Sequence, residues 1–292
     1  MNAVYKNELR GYFRGMFGWI AAAAMILASG AVAAVVNLLS SSADFSYLFA
    51  SLPDALVLLL PCVASRTFTR ENAYRNSVWL GSLPVSRTEQ ITGKYFAAFT
   101  LFLLPTAVLA VFPPLLDSFG AVSYGSAYTA LFGYILLGAA LLAICSFTSS
   151  RFRLRPVSVA ANVLLCLALY FLPLLSAVFY ALPLIAFLVC VLICIAVGAY
   201  IAVKHKKIIA AVLTAVLPSL LFTLLYFLLP AFFSRVLPVI LDRISLFDRL
   251  GGFRAGHFDL PATVLYLGTA VLFVFLTVWI PASSDRKERR AK

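Results

Sequence analysis

Residues able to carry out catalysis or bind a metal ion are few in this 292-residue chain, and they do not cluster. His205 and His257 lie far apart, and neither belongs to a group of ligand-type residues at metal-binding spacing. Cys190 and Cys194 share a helix face at i,i+4, a spacing that suits a soft metal ion. No third ligand lies near them, so small buried hydrophobic side chains describe all five cysteines better. The other three are Cys62, Cys145 and Cys166. We predict no catalytic, cofactor or metal site, and a protein that is not an enzyme.

Asp54 is the one carboxylate that falls within a predicted membrane span. An ionisable side chain inside a membrane indicates a functional site by default. Asp54 also lies within about two helical turns of the predicted outer end of its span, where it can reach water. Two interpretations therefore remain, a polar site within the membrane and an interfacial carboxylate.

A nucleotide phosphate has no binding loop in this sequence. The pattern GxxxxGK[ST] is absent, and Gly93-Lys94 is followed by Tyr95 and lacks the upstream glycine. If the protein uses ATP hydrolysis, that hydrolysis must occur on another polypeptide, and we expect no cofactor on this chain.

Composition places the chain in the membrane. Hydrophobic residues make up 63% and charged residues 12%, against roughly 45–50% and about 25% in soluble domains. The mean hydropathy is +1.01. The formal net charge of +12 would suggest nucleic acid in a soluble chain, but the placement of the charges indicates membrane topology instead. We predict an all-α polytopic membrane protein with a single transmembrane domain over residues 1–292.

Eight apolar stretches are long enough to span a bilayer, which needs about 20 residues per helix. They cover roughly 17–39, 47–66, 95–116, 127–149, 157–180, 183–203, 208–233 and 261–281. Residues 1–16 have the spacing of an amphipathic helix at the membrane surface. A secretory signal peptide is the alternative for this region, but its apolar run exceeds the usual length of about 7–15 residues. The fifth and sixth stretches are so close that we expect a tight hairpin over 157–203.

The basic residues predict the orientation. With both termini in the cytoplasm, 19 of the 23 Lys and Arg residues fall in inner segments. The outer segments hold only Arg235, Arg243, Arg249 and Arg254. A Lys/Arg excess on the cytoplasmic side is the rule for such proteins, so we predict a cytoplasmic-membrane protein with inner N and C termini.

Residues 66–94 form a long polar segment between apolar stretches. The segment contains five basic residues and two acidic ones, an apolar side around Trp79, Leu80 and Leu83, and breaks at Gly81 and Pro84. A simple turn needs only a few residues. The composition indicates a folded cytoplasmic element on which another protein docks.

Residues 234–260 form the one long outer segment. Its apolar residues alternate with Asp and Arg in a pattern typical of one or two amphipathic helices at the outer leaflet. A solvated connector is the alternative interpretation.

Several stretches resemble the ABC-2 type permease family, and more narrowly its gliding-motility and bacitracin-efflux-like subunits. They are YKNELRGYFRGMFGWI, SSSADFSYLF, RTFTREN…SVWLGSLPVSRTEQITGKYFAA and SLFDRLGGFRAGHFDLPATVLYL. The central positions that match are Arg66, Phe68, Glu71, Leu80, Ser82, Pro84, Val85, Ser86, Gly93 and Lys94. One departure is Arg70-Glu71, which stands where the family usually has an acidic pair. The resemblance covers 1–116 and 244–281 well and the middle poorly.

The resemblance implies a permease half that pairs with a second copy or a paralogue and with two cytoplasmic ATPase subunits carrying Mg-ATP. It implies a six-span core, with 157–203 as an added hairpin. The ATPase-coupling residues would be Arg66, Glu71, Trp79, Leu80, Leu83 and Pro84. Residues 234–260 would line an external gate, with Phe247 and Leu250 on its apolar side.

Two other classes of function remain as alternatives. A membrane-embedded lipid-modifying enzyme would need polar catalytic groups that converge inside the spans. An ATP-independent carrier or channel would need ionisable residues along a pathway and inverted repeats. Neither pattern is evident in the sequence.

Overall fold

A computed structural model of the chain describes residues 2–35, 48–69, 86–117, 123–152, 154–205, 208–228 and 232–280. Within these ranges every regular element is a helix, which confirms the predicted all-α class. The α-helices are α1 (Asn2–Arg14), α2 (Met16–Ala33), α3 (Leu48–Thr69), α4 (Arg87–Leu109), α5 (Phe112–Leu116), α6 (Tyr124–Ser149), α7 (Arg155–Tyr170), α8 (Leu172–Ala181), α9 (Pro183–His205), α10 (Ile208–Leu228), α11 (Leu237–Ile244), α12 (Leu250–Arg254) and α13 (Leu260–Trp279). A π-helical turn, Phe232–Val236, precedes α11.

Four of these helical stretches are long and apolar enough to cross a bilayer. They are Ser51–Thr69, Arg87–Pro114, Tyr124–Ser149 and Leu260–Trp279. Two bent pairs, Ala3–Arg14 with Met16–Val32 and Arg155–Tyr170 with Leu172–Ala181, raise the number to six if each pair is one span. The described residues thus support a multi-pass membrane protein with four to six candidate spans. The eight-span topology stays a prediction, with α9 and α10 at the positions of two further predicted spans.

The chain divides into two compact units. The first comprises Met1–Ala168 and Arg249–Lys292, and the second comprises Leu169–Asp248. One boundary, after Ala168, falls inside the predicted hairpin 157–203, and the other, after Asp248, falls inside the predicted outer segment 234–260. Within the second unit, α9 packs most extensively on α10. The aromatic contacts there centre on Phe233, which is fully buried.

Helix α6 is the centre of the first unit. It packs against α3, α4, α12 and α13, and nearly all side chains from Gly133 to Ser146 are buried. Two glycines allow the close packing. A Cβ atom at Gly133 would come within 2.7 Å of the Phe253 ring, and one at Gly138 would collide with the ring of Phe102. Small residues permit such close approach, on which helix association in a membrane depends.

The part of the polar segment 66–94 that lies between helices is shorter than the sequence predicts. Helix α3 continues to Thr69, and α4 begins at Arg87, eight residues before the predicted span at 95. Ser86 explains the early start, because its side chain accepts from the Glu89 backbone N–H while the Glu89 carboxylate accepts from the Ser86 N–H. This capping box satisfies backbone groups that an uncapped helix would leave unpaired. The capping box fixes the end at which the chain re-enters the bundle.

Candidate functional site

Most of the residues predicted to contact an ATPase lie outside the described part of the chain. Glu71, Trp79, Leu80, Leu83 and Pro84 all fall in 70–85. Arg66 is the described member of the set. It lies in the last turn of α3, half-buried. The candidate site therefore consists of contacts made by α3 and α4, the helices on either side of residues 70–85.

Helix α1 lies against the two helices that flank this segment. The chain bends by 77° between α1 and the helix that follows it, and α1 packs mainly against α4. Tyr5, Glu8 and Tyr12 are spaced i, i+3 and i+7, so all three lie on one face of α1. This face carries the contacts to α3 and α4.

The contacts to the end of α3 come from Tyr12 and from the start of α2. The hydroxyls of Tyr12 and Thr67 are hydrogen-bonded to each other in a buried position. Thr67 also donates to the Val63 carbonyl at 2.8 Å, so its proton is used and Tyr12 is the donor between the two hydroxyls. The Arg66 guanidinium lies over the Phe17 ring, 4.3 Å from its centroid. A cation over an aromatic face contributes about 0.5–1 kcal/mol, and more when it is desolvated. Arg66, the first residue of the polar segment, therefore also stabilises the packing of α2 against α3.

The contacts to α4 are an ion pair and a hydrogen bond. Lys94 Nζ lies 3.5 Å from Glu8 Oε1, with the Lys94 side chain 4% exposed and that of Glu8 28%. Two turns further along α4, the Thr100 hydroxyl lies 3.0 Å from the Tyr5 hydroxyl. A buried ammonium needs a counter-charge to offset its desolvation, and Glu8 supplies one.

We call this set of contacts the N-terminal clamp, defined by Tyr5, Glu8 and Tyr12 with their partners Thr67, Lys94 and Thr100. One face of α1 is bonded to the helix that enters segment 70–85 and to the helix that leaves it. Both flanks of the segment therefore share one support. The clamp is an arrangement that holds α3 and α4 in register through α1.

Asp54 lies in the second turn of α3, and its side chain is exposed. It falls near the first residue of the candidate span Ser51–Thr69. Both sequence-based interpretations stay open, and the position near the helix end is the one that an interfacial carboxylate would have.

The two residues predicted to form an external gate fall in different units. Phe247, in the second unit, is half-buried, and its ring meets the Tyr170 ring edge-on at 5.3 Å. Leu250, in the first unit, begins α12 and is 2% exposed. Thr129 of α6 donates to the Phe253 carbonyl at 3.0 Å, which ties α12 to α6. Leu250 is therefore a core residue, and only Phe247 retains an accessible side chain.

The structure also brings together residues that the sequence analysis passed over. Sulfur atoms of Cys145 and Cys166 lie 3.4 Å apart, whereas Cys190 and Cys194 are both partly exposed. Asn162 of α7 donates to Ser149 Oγ at 2.7 Å and to Ser65 Oγ at 3.1 Å. The sequence signal for this cluster is Asn162, a polar residue within a predicted span. Its neighbours at i±4, Ser158 and Cys166, are small.

In the described part of the chain, no three His, Cys, Asp or Glu side chains are grouped as metal ligands.

Comparison of the chain with protein-family models, with curated proteins and with solved structures gives no match.

Proposed function

We propose that this chain is the permease subunit of an ATP-binding cassette transporter of the ABC-2 type, exporting a substrate across the cytoplasmic membrane. In this proposal, a six-span core with an added hairpin gives eight spans, both termini are cytoplasmic and α1 lies at the inner membrane surface. A separate ATPase binds Mg-ATP and docks on segment 70–85 with its flanks. A second permease copy or a paralogue completes the translocation unit.

The observation that carries the proposal is the N-terminal clamp. A docking element transmits movement only if its two ends are joined to rigid parts of the membrane domain. Tyr12 bonds to Thr67 at one flank, and Glu8 pairs with Lys94 at the other. A displacement applied to the segment would reach α1, α3 and α4 together.

The charge distribution supports the orientation that docking requires. The clamp, the polar segment and both termini fall on the side that holds 19 of the 23 basic residues. Trp19, near the start of α2, and Trp279, at the end of α13, are exposed. In the proposed topology both lie at the cytoplasmic interface, where Trp is enriched in membrane proteins.

The ATPase contact itself is assigned to the apolar side of segment 70–85. Trp79 and Leu83 are four residues apart and share a face if the segment is helical. Buried aromatic and aliphatic anchors carry most of the free energy of such interfaces. The exposed Arg87, at the first turn of α4, would lie at the rim, where single charges contribute little.

The proposal predicts that a Walker-type ATPase is encoded beside the gene for this chain, and co-expression of that ATPase with the tagged chain tests it. The ATPase should co-purify with the wild-type chain and with Arg87→Ala. It should be lost from Trp79→Ala/Leu83→Ala. Equal recovery and equal ATPase stimulation in the double variant would place the coupling surface elsewhere. Export that persists when the Walker lysine of the ATPase is replaced would instead indicate an ATP-independent carrier.

A further inference from the structure

Helix α7 is attached to the rest of the first unit by an unusual set of side chains. Of its 16 residues, only Ser158, Asn162 and Cys166 are buried. They are spaced i, i+4 and i+8, so they form one stripe along one face. The remaining side chains of α7, Leu164 among them, are partly or fully exposed. This stripe is small and polar, unlike the apolar faces of α4 and α6.

The partners of the stripe come from α3 and α6. Asn162 donates one N–H to Ser65 of α3 and the other to Ser149 of α6, at 3.1 and 2.7 Å. Ser158 donates to the same Ser65 hydroxyl at 3.2 Å. One turn away from Asn162, the Cys166 sulfur lies 3.4 Å from that of Cys145 on α6. Asn162 thus joins α7 to two other helices.

This attachment rests on few contacts, because only three of the 16 residues of α7 are buried. Lipid removes the hydrophobic driving force between helices, so packing and interhelical hydrogen bonds must hold them together. Each of these bonds adds little on average, because the separated helices also find partners. In addition, the Asn162 Oδ1 atom is buried without a hydrogen-bond partner in the described part of the chain. An unsatisfied buried acceptor lowers the stability of the docked state.

The positions of the polar groups also favour release. Ser149 is the last residue of α6, Ser65 lies in the final turn and a half of α3, and Asn162 lies two turns from the start of α7. All three are near helix ends, where water can replace the lost partners. Release of α7 would therefore transfer these groups to water rather than to hydrocarbon, which avoids the main cost of separating polar groups in a membrane.

We propose that α7 docks reversibly on α3 and α6, with Asn162 as the latch residue. In the docked state its amide holds α7 against Ser65 and Ser149, and the thiols of Cys145 and Cys166 are in contact. In the released state the stripe opens from the ends of the helices inward and exposes both thiols. Ser65 lies two residues before Thr67 on α3, so the latch lies beside the N-terminal clamp. The proposal concerns α7 alone and stands whether or not an ATPase partner exists.

The two native thiols make the opening measurable in the full-length chain. Native membranes are treated with methyl methanethiosulfonate, which is small and membrane-permeant, and the modification of each cysteine is followed by mass spectrometry. Leu101→Cys provides a reference thiol on α4, because Leu101 is 2% exposed and α4 is not part of the stripe. We expect Cys145 and Cys166 to react at least about tenfold faster than the reference thiol, although both are fully buried in the docked state.

Variants of the stripe complete the test. Asn162→Ala should raise the reaction rates of Cys145 and Cys166 by about tenfold, since two interhelical bonds are lost, and leave the reference thiol unchanged. Ser158→Ala removes one bond and should give a smaller increase. Leu164→Ala, on the exposed face of α7, should change nothing. The proposal is overturned if the native pair reacts no faster than the reference thiol, or if Ser158→Ala has no effect while Asn162→Ala loosens all three thiols equally.

Discussion

Glu8 of α1 and Lys94 of α4 form an ion pair whose two members differ in burial. The Lys94 side chain is 4% exposed and the Glu8 side chain 28%, with 3.5 Å between Nζ and Oε1. The amine therefore depends on the carboxylate more than the carboxylate depends on the amine. This asymmetry gives a prediction about which single substitution is the more damaging.

Glu8→Gln should destabilise the protein more than Lys94→Met. The first leaves a buried ammonium without this carboxylate, at about 2 kcal/mol, below the 3–5 kcal/mol of fully buried pairs because Glu8 reaches solvent. The second leaves a carboxylate that can turn toward water. Thermal unfolding of the purified chain in detergent measures the order, with the exposed Lys6→Gln on the same helix as the control. A greater loss in Lys94→Met would show that the pair is not what stabilises Lys94.

Tyr12→Phe should cost about 1 kcal/mol, the usual net contribution of one hydrogen bond. The Thr67 hydroxyl keeps its bond to the Val63 carbonyl, so no buried group becomes fully unsatisfied. Tyr5→Phe is a matched control, since its partner Thr100 also bonds to the Phe96 carbonyl and the pair is only partly buried. The thermal midpoint should fall more for Tyr12→Phe. If the clamp transmits movement, ATPase stimulation should fall with it, and unchanged stimulation would limit the clamp to a structural role.

Gly138→Ala should destabilise the first unit by about 1–3 kcal/mol, as overpacking usually does. A Cβ atom at this position would collide with the Phe102 ring, whereas one at Gly125 of the same helix meets nothing within 4 Å. Gly125→Ala is therefore the control and should be neutral. Adding Phe102→Leu to Gly138→Ala should recover part of the loss. No recovery in the double variant would mean that Phe102 is not the obstacle.

Leu250→Ala and Phe247→Ala should separate core packing from surface function. Leu250 is buried, so its truncation should cost about 2–4 kcal/mol and lower the yield of folded protein. Phe247 is half-buried and loses mainly its edge-on contact with Tyr170, worth about 1 kcal/mol. If 234–260 forms an external gate, Phe247→Asp should impair export while ATPase co-purification is unchanged. Normal export in that variant would favour the solvated connector.

Reporter fusions should place the loops on the two sides of the membrane. The 19-to-4 division of basic residues predicts cytoplasmic signals after Lys94, Arg155, Lys207 and Lys292, and an external signal near Arg249. Alkaline phosphatase and a fluorescent protein, fused at each position, give opposite readings and check one another. An external signal at residue 207 would remove the added hairpin from the topology.

Composition and periodicity alone determined the class of this protein. An apolar content of 63% and apolar stretches of about 20 residues predict membrane-spanning helices. A bilayer offers no water to satisfy backbone groups, and a helix satisfies them within its own segment. The order of the helices in the described residues follows from the same patterns. The start of α4 after Ser86 follows from a different local signal, the capping box of Ser86 and Glu89, whereas apolar length alone predicts a span that starts at 95.

Tertiary structure decided which residues meet, and no local pattern contains that information. Three contacts show this: Glu8 with Lys94, Tyr12 with Thr67, and Asn162 with Ser65. The two residues of each contact are 55 to 97 positions apart in the sequence. Each contact also depends on how its two helices are rotated, and packing sets that rotation. The same holds for the thiols, since the i,i+4 pair Cys190 and Cys194 stands out in the sequence, whereas Cys145 and Cys166 meet only through the antiparallel arrangement of α6 and α7. The family resemblance assigns Leu250 to an external gate, and that role stays a prediction. What covers Leu250 is not readable from its amphipathic spacing: Phe253 of the same helix packs against Gly133 of α6, and Leu250 is 2% exposed. Helix faces are readable from periodicity, but the partner of each face is chosen by how the helices fit together.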